Sequence, residues 1–181
     1  MSRSFIAVMG LIAIGVAMIF QISRGAYLGA NGKSRETRML SADLERALKS
    51  FEQEYGHLPE VGSLDLETTG PTGTKLLGIL LGKEPGDQEI QNPRSIAFLA
   101  VGRSRGRKAG LVYPDNDADK APEKLCDSWG EPLRVILRPP GQPAPGLSYG
   151  NKTVAIPPSS FAIVSKGPDR IEGTKDDLRS W

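Results

Sequence analysis

The sequence predicts an α+β fold. A long N-terminal helical spine, membrane-spanning and then amphipathic, packs on a small antiparallel β-sheet, with an acidic loop read as ion-binding at the C-terminus. Three observations carry this. Phe5 to Phe20 contains no charge and no proline. Leu40, Leu44, Ala47, Leu48, Phe51 and Tyr55 recur at spacings of three and four, which aligns them on one helical face. The C-terminal third breaks into short β-prone runs separated by proline and glycine, as antiparallel strands do.

Composition narrows the chemistry before any motif is read. The 23 basic and 21 acidic residues are interspersed, which argues against a nucleic-acid partner. Cys126 is the only cysteine and His57 the only histidine. No disulfide within the chain, cysteine-based metal cluster or two-histidine metal site can be assembled from them, and an enzyme is not expected. Many glycines and prolines with few aromatics predict many turns and a modest core.

Taken in order, Phe5 to Ile22 gives roughly 27 Å of helix, close to the ~30 Å hydrocarbon core of a bilayer. The run is longer than the h-region of a cleaved signal, and Leu28 before Ala30 makes a poor cleavage site, so an uncleaved anchor is expected. Arg24, Lys33, Arg35 and Arg38 follow it and by the positive-inside rule count against export of what comes next. Gly25, Gly29 and Gly32 weaken helical pattern, and Ser34 with Glu36 reads as an N-cap and first turn. Residues 1–33 are therefore read as membrane anchor and juxtamembrane joint, and 34–181 as the head. The second helix should end at Gly56, a left-handed C′ residue, with Pro59 preventing continuation.

Beyond it, Thr68 to Thr74 reads as a turn-rich loop and Lys75 to Leu81 as a short apolar helix stopped by Gly82. Ser95 to Val101 is either helix or strand. Arg103, Arg105, Arg107 and Lys108 read as a solvated loop, since no aromatic residue is interleaved for base stacking. Leu133–Leu137, Val154–Ile156 and Phe161–Ser165 are predicted strands, with Pro139 to Asn151 a long connection.

Two acidic segments could attract a hard cation. Asp115, Asp117 and Asp119 alternate like the opening of an EF-hand, but Lys120 stands where the sharp turn needs glycine and Cys126 where a bidentate Glu is needed. A solvated acidic loop is the stronger reading there. The last segment brings Asp169, Glu172, Asp176 and Asp177 into one compact loop shaped by Gly167, Pro168 and Gly173. Oxygen ligands at flexible spacing suit Ca²⁺ better than Mg²⁺, although spacing alone leaves an ordinary acidic turn open. Between them, Asp127-Ser128-Trp129-Gly130-Glu131-Pro132 reads as a structural turn into a strand.

The helix ending Phe51-Glu52-Gln53-Glu54-Tyr55-Gly56-His57-Leu58-Pro59, the Asp127 to Pro132 turn, and the close Ser165-x-Gly167-Pro168-Asp169…Gly173-Thr174-x-Asp176-Asp177…Trp181 together resemble the major pseudopilin of type II secretion systems, within the type IV pilin superfamily. The resemblance implies a single-pass protein of the bacterial inner membrane with a periplasmic head. It implies assembly with copies of itself and other pseudopilins on an inner-membrane secretion platform, the spines bundled in a filament. It also implies a calcium ion, with Asp169, Asp176 and Asp177 as carboxylate ligands and backbone carbonyls completing the shell. Residues Thr68 to Lys124 fall outside the resemblance and look like an insertion. The N-terminus diverges: the family's basic leader is not matched, and Gly15 stands where its mature fifth-position Glu would be. The second reading is a membrane-tethered periplasmic calcium-binding or adhesion domain that does not polymerise.

Overall fold

Helix α1 covers residues 31–55 and presents the predicted stripe to the core. Leu40, Leu44, Ala47, Leu48 and Phe51 are buried, and Tyr55 packs at the edge of the same cluster. Thr37 and Ser41 extend the buried face toward the N-terminus at the same helical spacing. The helix runs unbroken through Gly32 and Ser34, so Ser34 is an interior helical residue and not an N-cap. One glycine costs about 1 kcal/mol in a helix, too little by itself to break one. Termination is as predicted: Gly56 has φ +77° and its N–H donates to Glu52 O at 2.8 Å, the left-handed cap that L side chains resist.

The structure, a computed structural model, describes residues 31–86, 89–104, 109–117, 120–139, 147–149, 152–154 and 160–181. The predicted span Phe5 to Ile22, with Gly25 and Gly29, lies outside them. Among the described residues no helix is long and apolar enough to cross a membrane.

The α+β class holds. Strands β1 (Asp65–Glu67), β4 (Arg134–Leu137), β7 (Phe161–Ser165) and β8 (Leu178–Arg179) form one antiparallel sheet in the order β1-β4-β7-β8. Register pairs Leu66 with Val135, Val135 with Ile163, and Ser165 with Leu178. Alternation sorts the sheet: Val135, Leu137, Phe161 and Ile163 join α1 in the core, while Ile136, Ala162 and Val164 are buried on the other face. Strands β2 (Gly110–Val112) and β3 (Lys124–Cys126) make a second antiparallel ribbon. Strands β5 (Leu147–Tyr149) and β6 (Lys152–Val154) make a third; β5 lies within the predicted connection, β6 reaches Val154 of the predicted strand, and Ala155 and Ile156 lie outside the described residues.

Helix α2 (Gly70–Leu81) begins earlier than Lys75, because Pro71 in its first turn has φ already fixed for a helix. Gly82 ends it at φ +65°, with its N–H on Ile79 O at 3.2 Å and Lys83 N–H on Gly78 O at 2.8 Å. A Cβ on Gly73 would lie 2.4 Å from Glu67 O, so this glycine lets α2 lie against β1. Residues 96–101 are neither helix nor strand; Phe98 and Leu99 instead donate their N–H groups to Leu80 O at 2.8 and 3.0 Å.

The stretch that looked like an insertion is integral to the core. Leu76, Leu77, Ile79, Leu80, Leu99 and Leu111 are buried in the same cluster as Leu44 and Phe51. Thr68 ties it to the sheet with every polar atom it has. Its N–H donates to Leu133 O (2.7 Å) and its carbonyl accepts from Leu125 N–H (2.9 Å). Its hydroxyl donates to Leu125 O (2.7 Å) and accepts from Leu133 N–H (2.9 Å). The described chain from Ser34 onward is one compact unit.

Candidate functional site

The candidate site is the loop between β7 and β8, and it is built from both ends inward. Gly167 at its entry has φ +66°, and a Cβ there would sit 2.3 Å from Asp176 O, so only glycine lets the two ends of the loop touch. Ser165, just before it, accepts the Gly167 N–H at 3.2 Å.

The three predicted ligands are arranged by hydrogen bonds inside the loop. Asp169 Oδ1 accepts from Ile171 N–H at 2.8 Å. Asp176 Oδ2 accepts from Asp169 N–H at 3.1 Å, and its Oδ1 from the Thr174 hydroxyl at 2.6 Å. The Thr174 hydroxyl and then the Asp169 amide hold the Asp176 carboxyl below its ordinary range. Asp177 Oδ2 accepts from Gly173 N–H at 2.8 Å, while its Oδ1 is buried with no donor. The structure thus links Asp169 to Asp176 through the backbone and holds Asp177 on Gly173. It does not gather three acidic side chains into a ready cluster: among the described residues no group of three His, Cys, Asp or Glu could hold a metal ion. The donor set is all oxygen, the chemistry that a hard cation takes, and Asp177 Oδ1 is buried without a donor.

Charge sorts the acids of this region into two classes. Glu172 is paired with Arg134 Nη1, whose Nε and Nη2 clasp Asp65 at 2.7 and 2.5 Å. This pairing, first with Asp65, raises the Arg134 pKa. Lys166 Nζ pairs with Glu67 at 2.8 Å, and Arg170 reaches Glu131 at 3.6 Å and Trp129 O at 3.1 Å. Asp169, Asp176 and Asp177, by contrast, make no ion pair within the described residues.

The Asp127 to Pro132 turn anchors the loop from below, as a structural element. Asp127, fully buried, accepts from the N–H groups of Trp129 and Glu131, both at 2.9 Å, and from the Ser165 hydroxyl at 2.6 Å. The turn also grips α1: Ser128 N–H donates to Thr37 Oγ1 at 3.1 Å, and its hydroxyl to Glu36 at 2.8 Å.

The other acidic segment is engaged differently. Asp115 has φ +53° and pairs with Lys120 at 3.3 Å; Asp119 lies outside the described residues. Lys120, the residue that spoils the EF-hand pattern, thus supplies the local counter-charge.

Sequence reasoning placed Glu172 among the acids of the loop and Ser165 at its start, but missed Arg134, which pairs with Glu172, and the contact of Ser165 with Asp127. The signal available was the single charge in Leu133-Arg134-Val135-Ile136-Leu137, which alternation reads only as an outward residue. Comparison with protein-family models, with curated proteins and with solved structures gives no match to this chain.

Proposed function

We propose that this chain is a structural, non-enzymatic subunit of a type II secretion or type IV pilus-like filament. In this reading it is pseudopilin-like, anchored in the bacterial inner membrane through its N-terminal apolar segment, with the head in the periplasm and stiffened by calcium. One observation carries most of the weight: α1 is the element on which the whole head is assembled. Its buried stripe from Leu40 to Phe51 underlies the sheet, and Glu36 and Thr37 fasten it to the Asp127 turn. A force or contact acting on α1 would therefore be transmitted to the sheet and its C-terminal loop. The orphaned Asp177 Oδ1 supports the calcium part.

Crosslinking of the full chain in cells tests the reading, with a ladder of oligomers as the expected result. A single monomer band would sink the filament and leave the tethered, non-polymerising domain. Gly15, standing where the family carries Glu, is the observation that favours that second reading.

A further inference from the structure

Arg134 joins the C-terminal loop to the sheet through its ion pairs with Glu172 and Asp65. It stands in β4, its side chain 18% exposed, between Asp65 of β1 on one side and Glu172 of the loop on the other. The Asp65 contact is two-pronged, which fixes the plane of the guanidinium and so fixes where its remaining nitrogen can hold Glu172. In sequence Glu172 stands between Asp169 and Asp176, and among the described residues it is the only acid of the loop that a basic side chain pairs with. Close by, Gly173 N–H is aimed at Asp177 and Ile171 N–H at Asp169, so the backbone flanking Glu172 is also the backbone that orients the unpaired carboxylates.

We propose that Arg134 is the positioning residue of this loop: by holding Glu172 against Asp65 it keeps the loop folded with no cation bound, and it reserves Asp169, Asp176 and Asp177 for the cation while withholding Glu172. The second half rests on the calcium reading above; the first does not. Glu172 is then a clamp and not a ligand. Loss of the clamp frees the backbone on which the ligands are hung, which for supporting contacts of a metal site weakens affinity by roughly 10–100-fold.

The test uses the full chain in detergent, with Arg134→Gln and Glu172→Gln as variants. Glu172→Gln leaves the Asp65–Arg134 pair intact and so spares the sheet. Hydrogen exchange at Ile171 and Gly173 is followed in chelator, with the amides of Val135 and Ile163 reporting global stability, and calcium affinity is measured by calorimetry. Both variants are expected to lose protection at Ile171 and Gly173 in chelator while Val135 and Ile163 stay protected, and to bind calcium roughly 10–100-fold more weakly. If both variants keep their loop protection in chelator, the proposal is overturned. If Glu172→Gln weakens calcium binding but keeps that protection, Glu172 is a ligand and the clamp is wrong. If Arg134→Gln tightens calcium binding, the freed Glu172 has joined the site and the positioning role is likewise overturned. If wild type binds no calcium but both variants still lose loop protection, the calcium reading alone fails and the clamp stands.

Discussion

The Ser165 hydroxyl donates to Asp127 Oδ2 at 2.6 Å, and both residues are wholly buried. The same hydroxyl accepts the Gly167 N–H, while the other oxygen of Asp127 holds the Trp129 and Glu131 amides. One buried contact therefore joins the start of the C-terminal loop to the turn that grips α1.

Breaking that contact should be expensive. Asp127→Ala leaves two amides and a hydroxyl buried without their acceptor, and each such group costs about 1–3 kcal/mol. A loss of at least ~3 kcal/mol is expected in denaturant unfolding, with Ser165→Ala costing less because it strands only Asp127 Oδ2 and the Gly167 amide. A change below ~1 kcal/mol for Asp127→Ala would show that the turn is solvated.

Phe51 lies at the centre of the core, with ring centroids 4.8 Å from Tyr55 and 5.5 Å from Phe98. It is fully buried, so Phe51→Ala should cost ~3–5 kcal/mol through lost burial and a residual cavity. Phe98 supplies part of that packing from a segment without regular structure, so Phe98→Ala should weaken the same cluster by a smaller amount. Equal stability of wild type and Phe51→Ala would mean that the face of α1 is wrongly assigned.

What could be read from the sequence follows physical range. The stripe on α1 and its glycine cap were legible because both are set by residues within a turn or two of each other. So was β7, whose five residues form a continuous buried run. Strands β1 and β8 were not, since a short strand is held by its neighbour: Leu66 is a strand residue because Val135 pairs with it. Thr68 reads as a turn former in isolation and becomes a strand-to-strand junction only when Leu125 and Leu133 arrive from far along the chain. At the loop, the acids were visible as a cluster, but which of them is neutralised was not. That depends on Arg134, thirty-eight residues from Glu172 in sequence.

Cys126 offers a check on the β2–β3 ribbon. It is 2% exposed, and burial pushes its thiol above the ordinary range. A raised folded pKa means that this contribution to stability is complete below the unfolded thiol value, about 8.5, and is lost as pH rises through the folded one. Thiol reagents at pH 8 are expected to leave the native chain unlabelled and to modify it fully in denaturant. Rapid labelling of the native protein would show that the ribbon opens.

The last prediction concerns calcium. Asp177 Oδ1 is buried without a donor, and no basic side chain among the described residues pairs with Asp169, Asp176 or Asp177, so a bound cation would satisfy what the fold leaves unmatched. An ion binding only the folded head stabilises it by RT ln(1 + [L]/Kd), about 2.7 kcal/mol at a hundredfold excess over Kd. The full chain should therefore melt higher in calcium than in chelator, and Asp176→Ala with Asp177→Ala should abolish the difference. The sign with pH follows from Asp176, whose carboxyl is held low by the Thr174 hydroxyl. Its contribution is present above the unfolded value of about 3.9 and is lost as pH falls through the lower folded one. Asp115→Ala with Asp117→Ala is the control and should leave the shift intact, because Asp115 already has Lys120 as its counter-charge. Equal melting temperatures in calcium and chelator would remove calcium from the account of this head. A shift lost in the control variant alone would move the ion to the Asp115 loop.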